Sequence, residues 1–283
     1  MTTTWTDPAQ HVELADLADI GVIGGSGFYR FLTGAREIRV STPFGDPSDA
    51  LTVGEVAGRR VAFVPRHGRG HHLAPHRVNY RANLWALRCV GVRQVLAPCA
   101  VGSLTAELTP GAVVVPDQVV DRTWGRAQSV YDTDDGPVVH LPFADPYCPR
   151  GRRCVLAAQS ASPLSVVDGG TLVVINGPRF STRAESRWHA SAGWSVVGMT
   201  GMPEASIARE LALCYTSVAL VTDLDAGVEA GKGVTHEEVM AVFGRNVEHL
   251  KGLLSAAVEG LPSDDGCTCQ HVLDGVPLPF ELP

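Results

Sequence analysis

Short apolar runs rich in β-branched residues alternate along the chain with segments whose apolar residues recur every three or four positions. The first pattern is typical of buried strands and the second of amphipathic helices, and their alternation predicts an α/β fold. The predicted strands span residues 20–23, 61–64, 95–97, 112–115, 172–175, 196–198 and 217–221.

Helical periodicity predicts three helices with recognisable ends. Residues 78–89 form the first, which ends at Gly91 in the C-terminal glycine position, and residues 203–213 form the second, with a proline in its first turn. The last begins at a capping box made by Thr235 and Glu238. Its apolar stripe, which we expect to face the core, consists of Val239, Phe243, Val247, Leu250, Leu254 and Ala257.

The length of the chain suits one large α/β domain, because 283 residues with 45% hydrophobic content supply a sizeable core. No Pro/Ser-rich linker, composition shift or internal repeat divides the sequence. We therefore expect an N-terminal extension over residues 1–19, a single domain over residues 20–260 and a C-terminal tail over residues 261–283.

The hydropathy pattern also bears on location and partners. No apolar run approaches the roughly 18 residues of a membrane span, and residues 1–10 lack the charged-then-apolar order of a secretory signal. We expect a cytoplasmic protein with no membrane partner. The net charge of -7 argues against nucleic acid as a partner, although it leaves room for a small anion in a local basic pocket.

Seven cysteines at irregular spacing are typical of reduced core residues rather than of a disulfide framework. The exception is the tail segment Cys267-Thr268-Cys269, followed by His271. These three soft donors suit zinc, but no fourth ligand is evident nearby and the spacing is not that of a zinc finger. The pattern favours a strained or redox-active cysteine pair, or an inert tail, over zinc.

Glycine or small polar residues follow six of the predicted strands. Because the strand ends of an open α/β sheet converge on one cleft, we expect a ligand site where these segments meet. The segments are Gly24-Gly25-Ser26-Gly27, Pro65-Arg66-His67-Gly68, Pro98-Cys99-Ala100-Val101-Gly102-Ser103, Asn176-Gly177-Pro178-Arg179-Phe180-Ser181, Met199-Thr200-Gly201 and Thr222-Asp223-Leu224-Asp225.

Asp223 and Asp225 are the most informative of these residues. Alternate side chains of an extended segment leave the same face, so both carboxylates can face one ligand at the carboxyl end of a strand. Two aspartates in a surface turn would show the same spacing. The five other polar strand ends favour a functional pair.

The loop Gly24-Gly25-Ser26-Gly27 can present backbone N–H groups and a hydroxyl to phosphate oxygens, although a simple tight turn has the same sequence. It is not a dinucleotide fingerprint, because Arg30 stands where a third glycine is required, and it lacks the Gly-Lys-Ser/Thr ending of a triphosphate loop. Arg66 and His67 add a fixed cation and a titratable donor at a second strand end.

As a set, these segments resemble the methylthioadenosine phosphorylase branch of the trimeric purine nucleoside phosphorylase family. The resemblance covers residues 20–258 and implies a nucleoside phosphorylase-like fold, with a central twisted mixed β-sheet flanked by helices. The matching segments are residues 20–27, Thr42-Pro43-Phe44-Gly45, Arg66-His67-Gly68, residues 79–87, Val101-Gly102-Ser103-Leu104, Asp117-Gln118, Asp121-Arg122-Thr123, residues 177–186, Met199-Thr200, Pro203-Glu204 and Thr222-Asp223-Leu224-Asp225.

The resemblance implies that inorganic phosphate attacks the anomeric carbon of a purine nucleoside and releases the free base and a ribose 1-phosphate. Phosphate is then a co-substrate, and no metal or organic cofactor is implied. The residues implied to bind phosphate are Ser26, Arg66, His67, Ala100 through its backbone, and Thr200.

The resemblance also implies how the nucleoside binds. Phe180 would stack on the base and Met199 would lie along the ribose, with Cys99 and Val239 as further contacts. Protonated Asp223 would act as the general acid toward the five-membered-ring nitrogen, and Asp225 would assist at the exocyclic group. Because aspartate accepts hydrogen bonds, this pair favours a 6-amino purine.

Two positions bear on substrate preference. Ser181 matches the adenine-preferring branch, whereas 6-oxopurine relatives place a glutamate there. His236 departs from the small or apolar residue usual in methylthioadenosine enzymes and matches relatives that bind a 5'-hydroxyl. A position beside the helix cap that faces solvent is the alternative for His236.

The irregular stretch over residues 124–149 is too long for an ordinary connection and is typical of a lid or an interface. The resemblance implies a homotrimer, or a dimer of trimers, in which His140 of this stretch reaches the neighbouring subunit's 5' site.

Three hypotheses of function follow. The first is a phosphorylase for S-methyl-5'-thioadenosine and adenosine. The second is a relative of the same fold, either a purine nucleoside phosphorylase that prefers 5'-hydroxyl nucleosides, including 6-oxopurines, or a phosphate-independent nucleosidase. The third, a non-catalytic nucleotide-binding or dehydrogenase domain, is weakened by Arg30.

Overall fold

The computed structural model describes residues 14–28, 31–132, 136–229, 231, 233–264 and 266–283, with the side chain of Ser26 outside the description. The strands are β1 (Ile20–Gly24), β2 (Thr33–Ile38), β3 (Leu51–Val56), β4 (Arg59–Pro65), β5 (Gln94–Ser103), β6 (Val113–Val115), β7 (Gln118–Arg122), β8 (Val166–Asp168), β9 (Thr171–Ile175), β10 (Val196–Gly198) and β11 (Cys214–Leu224). The α-helices are α1 (Tyr80–Cys89), α2 (Pro149–Ala157), α3 (Arg183–Ser191), α4 (Glu204–Glu210) and α5 (His236–Gly260).

These strands form one mixed sheet with the order β2-β3-β4-β1-β5-β10-β9-β7, and β11, β6 and β8 continue it from the other side of β5. The centre is the parallel pair β5 and β11, which are paired from Gln94 and Cys214 to Ser103 and Leu224. β1 is parallel to both β4 and β5, whereas β10 is antiparallel to β5. The expected mixed α/β sheet with flanking helices is therefore confirmed.

The buried strands consist almost entirely of apolar residues because helices cover both faces of the sheet. β1 is buried along its whole length, and β11 is buried over its first nine residues. One large apolar cluster, which includes Leu84, Leu87 and Ile207, lies on one side, and a second, which includes Leu250 and Leu254, lies on the other. The carboxyl ends of these strands are therefore held on a rigid, doubly packed sheet.

Side chains that cap the helices hold their first turns in place. Asn79 accepts a hydrogen bond from the backbone N–H of Ala82 at the start of α1, which begins two residues later than expected. Thr235 accepts one from the N–H of Glu238 at the start of α5, which is one half of the expected capping box, while the Glu238 carboxylate accepts from the Thr235 hydroxyl. α4 ends at Glu210, before the expected residue 213.

A β-bulge interrupts the pairing of β11 with β5. Val221 faces Val101, but the next partner of β5, Gly102, faces Asp223, so Thr222 is an extra residue in β11. Because partners in register lie on the same face, the bulge moves Asp223 to the face opposite Val221. Asp223 thereby reaches the side of the sheet on which α5 packs.

The apolar stripe of α5 divides between two environments. Its carboxyl-terminal half packs in the core as expected, with Leu250, Leu254 and Ala257 fully buried. Val239 lines a cavity rather than the core, and Phe243 lines the same cavity while also packing against the core cluster that includes Leu250. The periodicity is the same along the whole helix, so it cannot distinguish a core face from a cavity wall.

The C-terminal tail packs against the body of the protein. The ring of Phe280 lies 5.7 Å from that of Trp85 in α1 and 5.4 Å from that of Tyr131. Leu278 and Leu282 also contact the larger core cluster.

Within the described residues, no helix has the length and hydropathy of a membrane span.

Candidate active site

A cavity of about 470 Å³ opens at the carboxyl ends of the central strands. All six of the polar strand ends noted in the sequence contribute to its lining, together with the first two turns of α5. Among the lining residues are Gly25, Arg66, His67, Cys99, Ala100, Gly102, Phe180, Ser181, Met199, Thr200, Asp223, Asp225, His236 and Val239.

Thr222, Asp223 and Asp225, at the end of β11, form one wall of the cavity, which we call the carboxylate wall. Gly102 makes room for it, because a Cβ atom on Gly102 would lie 2.8 Å from Oδ1 of Asp223. The Thr222 hydroxyl donates a hydrogen bond to Oδ2 of Asp223 at 2.9 Å. The bulge and this glycine together aim the Asp223 carboxyl into the cavity.

The protonation of Asp223 is shifted toward the acid form. Burial raises its pKa to about 6, the Thr222 hydrogen bond opposes the rise, and the negative charge of Asp225 adds to it. A carboxyl group with such a pKa still holds a proton in an appreciable fraction of molecules near neutral pH. Asp223 can therefore donate a proton to a basic ring nitrogen.

Asp225 is 3% exposed, and its backbone N–H donates to the carbonyl of Ser103. Its Oδ2 atom is buried and has no hydrogen-bond partner among the described residues, and the same is true of Oγ of Ser181. Buried polar atoms are nearly always paired in folded proteins. Beside Asp223, these atoms offer hydrogen-bonding positions that suit a ligand with N–H donors.

Arg66 and His67, at the end of β4, form the arginine wall, which two strands, β1 and β5, separate from β11. The Arg66 guanidinium donates to both carboxylate oxygens of Glu204 at 2.8 and 2.9 Å. It also donates to the carbonyls of Ile23 and Pro98. Four of its five N–H groups are thus used, and one on Nη1 has no partner among the side chains described.

Arg66 is a fixed cation. Burial alone would lower its pKa, but the charge and hydrogen bonds of Glu204 outweigh burial and hold the pKa above its usual value. Glu204 is fully buried and also accepts a hydrogen bond from the Tyr215 hydroxyl at 2.8 Å. The ion pair fixes the arginine in one orientation and leaves a single donor for an anion.

His67 is neutral at pH 7, because burial and the neighbouring Arg66 charge lower its pKa to about 4. Its Nδ1 atom lies 2.8 Å from the carbonyl oxygen of Leu73. A carbonyl only accepts, so Nδ1 carries the proton and Nε2 has a lone pair. His67 can therefore accept a proton or a hydrogen bond from an acidic O–H.

Other residues expected to bind phosphate lie near these groups. Ala100 is exposed although its strand is buried, because it borders the cavity, and the buried Thr200 also lines the cavity. A Cβ on Gly25 would meet open space, so the loop leaves room for a ligand. Ser26 lies in a 3₁₀ turn over Ser26–Phe28, but its side chain falls outside the described residues.

The start of α5 lies across the cavity from the sheet. His236 is exposed at its mouth, and Val239, Met240 and Phe243 follow on the same face of the helix. Gly27 permits this approach, because a Cβ there would lie 2.8 Å from both Phe243 and Val247. The apolar part of the lining includes these residues together with Phe180, Met199 and the partly buried Cys99.

Two residues that position the lining were not singled out in the sequence. Glu204 lies in the first turn of a helix, where acidic residues are common, so nothing in the sequence marks its pairing with Arg66. Arg126 comes from the long irregular stretch and donates to the carbonyls of Asn176 and Met199, both at 2.9 Å. It thereby holds together the chain segments after β9 and β10.

His140 does not line the cavity of its own chain and is exposed. Its expected place at a neighbouring subunit's site stays a prediction. The stretch that carries it contains no helix or strand over residues 123–132 and 136–148, and residues 133–135 lie outside the description.

The chain matches the family model described as Phosphorylase superfamily over residues 19–259. It is 61% identical over 274 residues to a purine nucleoside phosphorylase of Streptomyces coelicolor, with 94% of this chain and 98% of the relative covered. It is 58% identical over 266 residues to an S-methyl-5'-thioadenosine phosphorylase of Mycobacterium tuberculosis, covering 93% and 97% of the two chains. Among solved structures, methylthioadenosine phosphorylase from Schistosoma mansoni in complex with adenine superposes with a TM-score of 0.83 at 39% identity, covering 88% of this chain and 93% of the other.

Proposed function

The chain belongs to the phosphorylase superfamily, and on this premise we propose that it is a purine nucleoside phosphorylase acting on S-methyl-5'-thioadenosine and adenosine. The products are adenine and 5-methylthioribose 1-phosphate or ribose 1-phosphate. One observation carries the preference for adenine: the buried Oδ2 of Asp225, which has no partner among the residues that the structure describes, lies beside Asp223. An acceptor in that place suits the exocyclic amino group of a 6-amino purine.

In the proposed reaction, a phosphate oxygen attacks the anomeric carbon while the bond from that carbon to the purine nitrogen breaks. The bonding electrons pass to the purine, and the proton of Asp223 is transferred to the five-membered-ring nitrogen. The raised pKa of Asp223 serves this step, because a fully ionised carboxylate has no proton to give.

The arginine wall serves the nucleophile. The one available N–H of Arg66 donates to a phosphate oxygen, and the lone pair on Nε2 of His67 accepts the hydrogen of monohydrogen phosphate. This contact strengthens the negative charge on the attacking oxygen. Inorganic phosphate is the co-substrate, and the proposal assigns no metal or organic cofactor to the reaction.

The 5' end of the nucleoside lies near His236, at the mouth of the cavity. An imidazole can hydrogen-bond to a 5'-hydroxyl, which supports adenosine as a second substrate and favours, as the alternative function, a purine nucleoside phosphorylase that prefers 5'-hydroxyl nucleosides. Val239 and Met240 supply apolar surface that suits a methylthio group.

We also propose that the protein is a homotrimer, singly or as a dimer of trimers. Trp124 is 73% exposed and Val138 is 78% exposed, and both lie in the irregular stretch that carries His140. Large exposed apolar side chains in one segment support contact with a second copy of the chain. The cytoplasmic location expected from the sequence stays a prediction.

The test measures base release from S-methyl-5'-thioadenosine, adenosine and inosine, with and without phosphate. We expect adenine release that requires phosphate, and a loss on the order of 10²-fold or more in Asp223→Asn. The exposed Asp46→Asn is the matched control and keeps wild-type rates. Equal rates without phosphate would contradict a phosphorylase, and inosine as the best substrate would contradict the role of the two aspartates.

A further inference from the structure

Far from the cavity, four cysteines come together from three parts of the chain. Cys148 caps the start of α2, Cys214 is the first residue of β11, and Cys267 and Cys269 belong to the tail. Their sulfur atoms all lie within 4.8 Å of one another, and none of these residues is more than 3% exposed.

The spacing of the sulfur atoms fits a tetrahedral metal site. With a zinc–sulfur bond of about 2.3 Å, the sulfur atoms of a four-thiolate site lie about 3.8 Å apart. Sγ of Cys148 and Sγ of Cys267 are 3.6 Å apart. A disulfide requires about 2.0 Å, and all four residues are free thiols in this structure.

The surroundings supply hydrogen bonds of the kind that stabilise metal-bound thiolates. The backbone N–H of Gly151 donates to Sγ of Cys148 at 3.4 Å, at the positive end of α2. The side chain of Gln270 donates to Sγ of Cys214 at 3.7 Å. Gly151 also lets α2 begin close to β11, because a Cβ there would lie 2.1 Å from Oγ1 of Thr216.

We propose that Cys148, Cys214, Cys267 and Cys269 bind one zinc ion in a structural site. Binding displaces the four thiol protons to solvent and leaves four thiolate–zinc bonds. The site joins the tail to α2 and to the amino end of β11. Asp223 stands nine residues further along that strand, about 30 Å away, so the ion takes no part in the reaction.

The site also revises what the sequence indicates about the tail. His271 does not belong to the group of four sulfur ligands, and its Nδ1 atom lies against the Asp274 carboxylate at 3.1 Å. The ligands that complete the tail pair are Cys148 and Cys214, which are distant in sequence. The sequence favours other interpretations of the tail over zinc because these two ligands lie far from it in the chain.

The test is elemental analysis of the full chain purified under reducing conditions with zinc in the medium. We expect about one zinc per chain in the wild type and in Cys154→Ser, and none in the double variant Cys267→Ser/Cys269→Ser. Cys154 is the matched control because it lies in α2 but outside the cluster. Cobalt added to the metal-free wild type should give the intense visible bands of a tetrahedral thiolate site.

Two results would overturn the proposal. One is a wild-type zinc content no higher than that of the double variant, together with no cobalt spectrum. The other is a denatured, non-reduced chain whose mass shows that the four cysteines form disulfides.

Removing zinc from the wild type with a chelator tests the structural role without any substitution. The unfolding temperature of the metal-free protein should fall, and added zinc should restore it. An unfolding temperature unchanged by stripping contradicts the structural role.

Discussion

The two walls of the cavity differ in how their buried polar groups are satisfied. In the arginine wall, Arg66 is held by Glu204 and by two backbone carbonyls before any ligand arrives. In the carboxylate wall, an oxygen atom of Asp225 has no partner within the described part of the chain, and the same holds for Oγ of Ser181, which lines the same cavity. Folding therefore satisfies most of the hydrogen-bonding groups of Arg66, whereas Asp225 and Ser181 each keep a buried oxygen atom for a ligand.

The two walls also differ in the direction in which the pKa values of their side chains are shifted. Burial and a like charge raise the pKa of Asp223 to about 6, whereas burial and the Arg66 cation lower the pKa of His67 to about 4. Between these values both groups are neutral. The molecule thus keeps an acid and a base, each in the form that the proposed reaction requires of it, within a single cavity.

The largest expected effect comes from breaking the Arg66–Glu204 ion pair of the arginine wall. Glu204→Gln removes the charge that balances the buried Arg66, and an uncompensated buried charge costs about 3–5 kcal/mol. The free energy of unfolding in urea should fall by that amount. Glu248→Gln is the matched control, because Glu248 forms an exposed pair with Lys251 whose loss costs less than about 1 kcal/mol.

Equal stabilities of Glu204→Gln and Glu248→Gln would contradict the view that folding completes the arginine wall. A stable Glu204→Gln protein that lost only phosphate affinity would place Glu204 in ligand binding instead. The KM for phosphate, measured on the same preparations, separates these two roles.

The pH dependence of stability tests both walls at once. The folded-state pKa of Asp223 is raised from 3.8, so the native protein binds this proton more tightly than the unfolded chain does. The stability gained in this way is lost as pH rises through about 6. The folded-state pKa of His67 is lowered from 6.5, so its destabilising effect appears as pH falls from 6.5 toward about 4. The two contributions have opposite signs in the same pH range.

Difference curves separate these contributions. The stability of the wild type relative to Asp223→Asn should fall by about 3 kcal/mol as pH rises from 4 to above 6. Relative to His67→Asn, it should rise by a similar amount over the same range. Urea unfolding at intervals of pH measures both, and two curves with the same sign would contradict the opposite environments of the walls.

The smallest expected effect lies at the mouth of the cavity. His236→Val removes a hydrogen-bonding group and adds apolar surface, so the ratio of kcat/KM for S-methyl-5'-thioadenosine to that for adenosine should rise about tenfold, or about 1.4 kcal/mol. The adjacent exposed Glu237→Ala should leave the ratio unchanged. An unchanged ratio in His236→Val would place the imidazole outside the substrate's reach.

The sequence predicts the central strands and the convergence of their ends, because apolar runs followed by glycine are local signals. It does not predict β2, whose residues are mostly exposed at the sheet edge, or α2, which follows an irregular stretch. The pairing of Glu204 with Arg66 and the meeting of Cys148 with Cys267 are also missed. These contacts join residues more than a hundred positions apart, and nothing in the local sequence marks either pair.

The β-bulge at Thr222 decides which face of the sheet carries the Asp223 carboxyl group. Because one extra residue turns Asp223 toward the cavity, the proposed general acid depends on the pairing of β11 with β5 as well as on residue type. If Thr222 paired with Gly102 without a bulge, Asp223 would face Ser103 and lie on the same side of the sheet as Val221, although the residues of the strand would be unchanged. A shift of one residue in the pairing of β11 with β5 is therefore enough to turn this carboxyl group away from the cavity, so two relatives can share the aspartate in sequence and yet present it on different faces of the strand.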